Sequence, residues 1–331
     1  MAPFGSFGGG GGVNTNLFVV ILASAIFYGT PLYFAALGEL LTERSGVLNL
    51  GVEGMMLIGA VSAAWGAQHV GGPAWFGVFG AVVIGALAAA TLGAVHALLA
   101  VTFRVNQTVA GLALTIFAGG VGLSSYLAST WKVAVRPTPR PIRKLDVLGL
   151  ADAPVVGPLL FHHTILTYLS WILCALMSWY LFRSRLGLNL RAVGESPQTA
   201  DAMGINVVAY RYVHTIVGGA LAGIGGSFYA LAIVPTWVDG MTKGAGWIAI
   251  ALVIFGFWRP DLTLLGAYLF GALSSLGLTL KARNVQINGS LLDALPFAMT
   301  IVVLVVVSSG WARRRLGAPS ALGLPYEREE R

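Results

Sequence analysis

"AWFGVFGAVVIGALAAATLGAVHALLAVTF", residues 74–103, contains no Asp, Glu, Lys or Arg. Crossing the hydrocarbon core of a bilayer takes about 20 mostly apolar residues in a helix. This stretch is long enough for one crossing. It therefore predicts a transmembrane helix, and it indicates that the rest of the chain should be interpreted in a membrane.

Composition extends that interpretation to the whole chain. Of its 331 residues, 56% are hydrophobic and 10% are charged, with a mean hydropathy of +0.80. A soluble domain carries about 25% charged residues, so lipid must cover most of this apolar surface. The net charge of +7 is typical of basic loops that face anionic lipid rather than of a nucleic-acid-binding protein. The single cysteine, Cys174, excludes a disulfide framework and a thiolate metal cluster.

Nine apolar segments are candidates for membrane crossing. They are residues 17–38, 54–69, 74–103, 106–130, 164–182, 212–233, 246–257, 261–280 and 293–309. The predicted fold is an all-α membrane protein, a polytopic helical bundle of about nine transmembrane helices. Residues 1–16 are predicted to be a flexible tail, 17–310 the transmembrane domain, and 311–331 a cytoplasmic tail. A run of glycines between Gly218 and Gly226 predicts close helix packing.

The basic residues of the loops predict an orientation. Cytoplasmic loops carry an excess of Lys and Arg. Of the 20 basic residues, most lie on the inner side if the N-terminus is outside, and many of the others lie in the loop 131–160. The triple Arg313–Arg315 follows the last apolar segment and favours an inner location there. We therefore predict an N-terminus outside and a C-terminus inside.

Two polar, glycine-containing segments interrupt the apolar sequence. "LTERSGVLNLGVEG" (41–54) precedes the second predicted span, and "WVDGMTKGAG" (237–246) precedes the seventh. In transporters such interruptions at corresponding places in two halves often mark broken helices around a substrate path. The second and seventh spans run in opposite directions in the predicted topology. This pattern predicts two inverted halves with broken helices near 41–54 and 237–246.

A short polar helix is predicted between the fifth and sixth spans, within "RAVGESPQTADAMGINVVAYR" (191–211). Ser196 is a suitable N-cap, and Pro197 suits the first helical position because its missing N–H is not needed there. Gly204 is placed to end the helix in the left-handed conformation. A helix this short does not stand alone in water and needs a surface on which to dock.

Two surfaces are possible for this helix, a lipid headgroup layer or another protein. Its apolar side consists of Ala200, Ala202 and Met203, which is too small to hold a membrane surface well. Small residues on a short exposed helix suit insertion into a protein groove. The sequence therefore favours protein docking over an amphipathic surface loop.

At this point the chain resembles a known family. It is similar to the integral-membrane permease subunits of bacterial ABC importers, in the branch for ribose-type sugars, branched-chain amino acids and nucleosides. The resemblance is closest to simple-sugar and nucleoside permeases that work with Bmp-type binding lipoproteins, and it covers residues 17–310. Its motifs are "LTERSGVLNLGVEGMMLIGA" (41–60), "NQTVAGLAL" (106–114), "FRSRLGLNLRAVGESPQTADAMGINV" (182–207) and "GAGWIAIALVIFG" (244–256).

The resemblance implies that residues 183–211 form a coupling loop whose short helix sits in a cleft of an ATPase subunit. Ser196 stands where the family usually has Asn, and both residues are competent N-caps. The implied coupling residues are Arg191, Gly194, Glu195, Ser196, Pro197, Ala200, Ala202, Met203 and Gly204. The implied partners are an ABC ATPase, a second permease subunit (paralogous or identical), a substrate-binding lipoprotein and membrane lipid. The implied location is the bacterial inner membrane, with no cofactor in this chain because the ATPase binds ATP and magnesium.

Several polar and aromatic residues are candidates for the pathway or its gate. Polar groups at membrane depth are tolerated where they line a cavity or have protein partners. Capping of helix ends is the alternative role for Asn49 and Glu53, and a buried interhelical hydrogen bond is favoured for His96. Trp237 and Trp247 fit an interfacial aromatic belt better than stacking on a sugar or nucleobase. The candidates are Asn49, Glu53, His96, Asn106, Gln107, Trp237 and Trp247.

The sequence also separates the possible function classes. It contains no GxxxxGK[ST] motif, so ATP hydrolysis would have to come from a partner. His162 and His163 lack further ligands for a metal site. The sequence shows no nucleophile–base pair of the kind that would indicate an enzyme. The alternative is a secondary transporter driven by an ion gradient, which usually has carboxylates inside its spans. The predicted span interiors contain only His96. The resemblance favours a nucleoside over a simple sugar as cargo.

Overall fold

The computed structural model describes residues 17–119, 122–133, 138–139, 141–147, 149–282, 288–307 and 317–328. The predicted N-terminal tail (1–16), the triple Arg313–Arg315, and Arg136 and Arg140 of the loop 131–160 lie outside the described residues.

Helices dominate the described part of the chain. They are α1 (Leu17–Arg44), α2 (Val52–His69), α3 (Ala74–Ala97), α4 (Gln107–Ala118), α5 (Leu123–Thr130), α6 (Ile165–Arg183), α7 (Arg185–Glu195), α8 (Pro197–Ala202), α9 (Val207–Phe228), α10 (Ala245–Phe255), α11 (Pro260–Ala282) and α12 (Gly289–Val307). Short π-helical turns cover Leu98–Thr102, Gly157–Phe161 and Tyr229–Ile233. Strands β1 (Lys144–Asp146) and β2 (His162–Thr164) pair antiparallel, so the fold is not purely α.

The chain is a helical membrane protein. Five helical stretches of the described residues are long and apolar enough to cross a bilayer: Phe18–Arg44, Ala74–Thr102, Gln107–Thr130, Ile165–Arg183 and Val207–Ile233. Each of the other predicted spans also coincides with a helix, although α10 has only 11 residues. The predicted span 106–130 is divided into α4 and α5, and α9 begins at Val207 rather than at 212.

The centre of the bundle is α2, which is buried along almost its whole length. It packs against α3, α4 and α9, and α9 also packs against α1. Glycines on α9 permit these close approaches. A Cβ on Gly226 would lie 1.8 Å from the carbonyl oxygen of Met56, and one on Gly223 would lie 2.7 Å from that of Gly85. The predicted close packing of the 218–226 glycine run is confirmed.

Two groups of loops lie at opposite ends of the bundle. At one end, the Arg44 guanidinium donates to the carbonyl oxygens of Trp258 (2.9 Å) and Gly317 (3.1 Å). At the other end, the Ile142 amide donates to the carbonyl oxygen of Leu231 at 2.8 Å. The segments that the sequence assigned to the inner side, including α7 and α8, share the end that contains Arg44.

Helix α1 contains two buried carboxylates that the predicted span did not include. The predicted first span stopped at residue 38, whereas α1 continues to Arg44 and buries Glu39 and Glu43. Each carboxylate has a donor: Asn49 donates its backbone N–H to Glu39 at 3.1 Å, and the Trp258 indole donates to Glu43. Both carboxylates lie in the last two turns of α1, beyond the mid-span interiors for which the sequence predicted no carboxylate, and donors from other elements allow their burial.

Candidate functional site

The two polar, glycine-containing segments meet in the structure. The Glu53 carboxylate, in the first turn of α2, accepts hydrogen bonds from the Thr242 hydroxyl (2.6 Å) and from the backbone N–H groups of Gly244 (2.9 Å) and Gly246 (2.6 Å). A Cβ on Gly246 would lie 2.4 Å from the backbone nitrogen of Glu53. Glu53 therefore neutralises the N-terminus of α10, where a negative charge is favourable. We name this contact of Glu53 with residues 242–246 the α2–α10 junction.

The α2–α10 junction lies inside the bundle rather than at its end. Helix α10 runs from Ala245 to Phe255, which is about 16 Å of helix. It ends just before Trp258, whose carbonyl oxygen binds Arg44 at the end of α1. The hydrocarbon core of a bilayer is about 30 Å thick, so α10 covers about half of it. Its first turn, and with it the α2–α10 junction, therefore lies about 16 Å along α10 from the end of the bundle that contains Arg44.

Asn49 is part of the buried segment Val47–Gly51 that leads into α2. Its side-chain oxygen accepts from the Gly51 amide at 3.0 Å, and its side-chain nitrogen contacts the Met55 sulfur at 3.4 Å. Its backbone amide binds Glu39. The Asn49 side chain thus binds the amide of Gly51, the N-cap residue of α2. This contact agrees with the capping role that the sequence analysis gave as the alternative to a role in the gate.

His96 and Gln107 hold the same segment from neighbouring helices. His96 Nε2 lies 2.9 Å from the carbonyl oxygen of Leu48, and the Gln107 side-chain oxygen accepts from the Leu48 amide at 2.7 Å. The Thr115 hydroxyl donates to the carbonyl oxygen of Leu50 at 2.8 Å. His96 is buried, and its hydrogen bond reaches the backbone of the segment between α1 and α2, whereas the sequence favoured a bond to another helix. Together with Glu39 of α1, these side chains of α3 and α4 position segment Val47–Gly51.

The other pathway candidates lie apart from this cluster. Asn106 is the N-cap of α4 and accepts from the Val109 amide at 3.1 Å. Trp237 is buried and donates its indole N–H to Asp239 at 3.0 Å. Trp247, in α10, is 37% exposed. The sequence analysis missed Thr242 and Thr115, although the Thr and Gly residues of "TKGAG" are an indication of local hydrogen bonding.

The predicted short helix exists as α8, and its C-terminal cap has the expected geometry. Gly204 has φ +83°, and its amide donates to the carbonyl oxygen of Asp201 at 2.9 Å. The Ile205 amide donates to that of Ala200 at 3.0 Å, which completes a Schellman motif. Pro197 occupies the first turn. At the N-cap, the Ser196 hydroxyl pairs with the Thr199 hydroxyl at 2.7 Å rather than with a backbone amide.

Helix α8 has one buried face and one exposed face. Pro197 and Ala200 are buried, and Ala200 packs with Val193, Val207 and Tyr326. Ala202 is exposed, and Met203 is 78% exposed. The face open to a partner therefore contains Ala202 and Met203, whereas the side chain of Ala200 contacts this chain.

The preceding helix α7 carries the remaining coupling candidates. A Cβ on Gly194 would lie 2.4 Å from the carbonyl oxygen of Arg44, so α7 packs tightly against the end of α1. The Glu195 carboxylate accepts from the Ser320 hydroxyl at 2.8 Å. The Arg191 guanidinium lies 5.6 Å from the centre of the Phe182 ring. The sequence treated residues 183–195 as a loop and did not predict this helix.

The outer pair of histidines belongs to strand β2. His163 is buried, and its Nε2 lies 2.9 Å from the carbonyl oxygen of Leu159. Burial lowers the pKa of His163 to about 4, with smaller contributions from nearby Lys144 and His162. The ring is therefore neutral near pH 7, and its hydrogen bond joins β2 to the π-helical turn Gly157–Phe161.

The structure thus combines a bundle of apolar helices, a polar junction between two of them and a short capped helix at one end. The chain belongs to the family described as branched-chain amino acid transport system / permease component, whose model matches residues 21–304.

Individual relatives are similar over nearly their whole length. The provisionally named glucose ABC transporter permease protein of Haloferax volcanii is 39% identical over 93% of this chain and 98% of its own length. The guanosine ABC transporter permease protein of Bacillus subtilis is 36% identical over 94% and 98%. The nucleoside ABC transporter permease protein of Lactococcus lactis is 34% identical over the same shares. No solved structure matches the chain. The chain is an ABC transporter permease subunit, which translocates cargo and is not an enzyme.

Proposed function

We propose that this permease subunit belongs to an ATP-driven importer that moves a nucleoside or a simple sugar delivered by a binding lipoprotein. The observation that carries this proposal is α8, a capped helix with one face held by its own chain and the other open. A permease of an ATP-driven transporter that has no GxxxxGK[ST] motif of its own needs a surface through which a separate ATPase acts on it. A second permease subunit, identical or paralogous, would complete the translocation unit.

The proposed cargo is a neutral polar molecule. The charge of Glu53 is bound by three donors of residues 242–246 and is not left for an ionic ligand. The names of the relatives, which include guanosine, nucleoside and glucose permeases, support the same cargo classes. Nucleosides are our first choice, because two of these three relatives are named for them.

The proposed architecture has nine membrane crossings in two inverted halves, with the N-terminus outside and α8 in the cytoplasm of a bacterial cell. Its support is the α2–α10 junction, where the two predicted broken segments contact each other. The shared end of α7, α8 and the Arg44 turn supports the proposed placement of basic residues on one side.

The experiment uses the subunit reconstituted with its ATPase in vesicles. Ala202→Arg is expected to insert and fold normally, because Ala202 is exposed, and to lose co-purification with the ATPase. Val155→Arg adds the same side chain at an exposed position of the opposite end and is the matched control. Unchanged assembly and ATP turnover in Ala202→Arg would remove the proposed docking role of α8.

The alternative that the sequence left open, an ion-gradient-driven transporter of a small neutral solute, is disfavoured by the family, and the buried Glu39 and Glu43 do not restore it because they lie in the last two turns of α1. Buried intramembrane carboxylates are common in ion-coupled carriers. The same vesicles distinguish the two functions. The importer requires ATP and the ATPase for uptake, whereas accumulation by the subunit alone under a proton or sodium gradient would support the carrier.

A further inference from the structure

The described residues after α12 form an irregular segment, Gly317–Arg328, with a turn at 320–323, that crosses the end of the bundle beside α7 and α8. Sequence analysis treated this region as a plain cytoplasmic tail. We name it the C-terminal strap. Its contacts divide into two sets, one with the docking helices and one with the transmembrane bundle.

The first set joins the strap to α7 and α8. The Ala321 amide donates to the carbonyl oxygen of Gly194 at 2.9 Å, and the Ser320 hydroxyl donates to the Glu195 carboxylate at 2.8 Å. The Tyr326 ring is buried in an apolar cluster whose other buried members are Val193, Ala200 and Val207. The strap therefore covers the inner face of the coupling helix.

The second set joins the strap to the bundle. The Gly323 amide donates to the carbonyl oxygen of Gly46 at 3.1 Å. Arg211 of α9 donates to the carbonyl oxygen of Leu324 at 3.1 Å. Arg104 and Glu327 form an ion pair at 3.0 Å. Gly46 immediately precedes the buried segment Val47–Gly51, which leads into α2 and the α2–α10 junction.

These two sets are close together along the strap. Ala321 binds Gly194 and Gly323 binds Gly46, and two residues of chain span at most about 7 Å even when extended. Because so few residues separate the two hydrogen bonds, a displacement of α7 and α8 should also displace Gly46. Because α8 has only six residues, it depends on such neighbours for its own order.

We propose that the C-terminal strap transmits movement of the coupling helix to segment Val47–Gly51, with Tyr326 and Ser320 as positioning residues. This inference rests on the proposed function, since it takes α8 to be the element that the ATPase moves. It assigns to residues 317–328 a mechanical role in transport that is separate from docking.

The test uses Tyr326→Ala in the complete reconstituted complex, with three measurements: co-purification of the ATPase, ATP hydrolysis, and cargo uptake per ATP hydrolysed. Assembly and hydrolysis are expected to be retained, because the exposed face of α8 is unchanged. Uptake per ATP is expected to fall about tenfold. A factor of this size lies within the range by which one site typically affects another in coupled proteins. A residue with a merely structural role would lower all three together.

Two further variants sharpen the test. Leu324→Ala removes an apolar side chain of the same strap that is 56% exposed, and it is expected to behave as wild type. Tyr326→Phe keeps the ring in the cluster and is expected to restore most of the uptake per ATP. Unchanged uptake per ATP in Tyr326→Ala, or loss of ATPase assembly together with uptake, would overturn the transmission role.

A measurement on the permease alone separates this inference from the proposed function. Tyr326→Ala is expected to lower the hydrogen-exchange protection of the Ala200 and Ile205 amides, because the cluster that orders α8 loses its largest member. Unchanged protection would refute the strap even if the complex transports. Wild-type vesicles that show no ATP-dependent uptake would instead refute the proposed function, whatever the exchange result.

Discussion

The Glu53 carboxylate and the Gly246 backbone N–H, 2.6 Å apart, bind the first turn of α2 to the first turn of α10. These residues are almost two hundred positions apart in sequence, and each follows an interruption of the apolar pattern. The contact brings two helix N-termini together inside the bundle, and Glu53 supplies the negative charge that their dipoles require. The carboxylate has three donors there, and the backbone of Gly246 lies too close to Glu53 to admit a Cβ.

We predict that Glu53→Gln destabilises the protein and lowers transport. A glutamine keeps the volume but removes the charge and places an NH₂ group among the N–H donors of Gly244 and Gly246. Charge-assisted hydrogen bonds contribute about 1.5–3 kcal/mol each, so a loss of at least about 2 kcal/mol in unfolding free energy is expected. Thermal unfolding in detergent measures it. Asp152→Asn, at an exposed position, is the control, and equal stability of the two variants would contradict the prediction.

Gly246→Ala tests the close approach at the same junction. Its Cβ would meet the backbone nitrogen of Glu53 at 2.4 Å, and a backbone neighbour cannot move aside. We expect the free energy of unfolding to fall by at least about 1–3 kcal/mol, the cost typical of overpacking a tight core. The yield of folded protein should fall with it. Gly71→Ala is the matched control, because nothing lies within 4 Å of its added Cβ. Fluorescence-detected size exclusion compares the two. Similar yields of monodisperse protein would exclude the predicted clash.

The sequence predicts the elements better than their contacts. Apolar length located the helices, and the local code of Ser196, Pro197 and Gly204 located α8, because spans and caps depend on neighbouring residues. His96 and Gln107 were candidates for the pathway because of their polarity, with an interhelical hydrogen bond favoured for His96. Their partner is the backbone of Leu48, a long-range relationship that no local pattern indicates.

The capping glycine of α8 gives a third prediction. Gly204 has φ +83° and open space around its Cβ position, so the backbone conformation, rather than a clash, restricts the residue. Gly204→Val is expected to destabilise the end of α8 by about 1–2 kcal/mol. Gly204→Asn should be nearly neutral, because Asn tolerates the left-handed conformation. Hydrogen exchange at Ile205 measures the difference, and equal protection in Val and Asn variants would argue against this cap.

The β1–β2 ladder is expected to weaken in acid because of His163. The folded ladder holds this ring neutral with a pKa of about 4, whereas the unfolded value is about 6.5. Between these values the open state binds a proton that the closed state does not. Stability is therefore unaffected above pH 6.5 and falls as the pH drops toward 4, by at most about 3 kcal/mol.

Hydrogen exchange of the residue 144–146 amides, corrected for intrinsic rates, follows this opening. His163→Gln should remove the pH dependence, while His69→Gln, at an exposed position, should leave it unchanged. A ladder of wild-type protein that is equally protected at pH 4.5 and pH 7 would show that His163 is not its acid-sensitive group.

The burial of three α1 and α8 side chains depends on long-range contacts that sequence patterns do not predict. The burial of Glu39 and Glu43 follows from the Asn49 amide and the Trp258 indole, which reach α1 from separate elements. The burial of Ala200 follows from Tyr326. Small and charged residues of this kind are ordinary in surface helices, so only the folded chain reveals what covers them.

The position of Tyr326 has a consequence for biogenesis. The apolar cluster of Val193, Ala200 and Val207 closes only when Tyr326 is present, and the ribosome makes this residue after every helix of the bundle. A nascent chain that has not yet reached Tyr326 therefore leaves the inner face of α8, at Ala200, uncovered while its helices are entering the membrane. Such a chain still presents Ala202 and Met203 on the opposite face, so the same short helix would expose a docking face and an uncovered apolar face together.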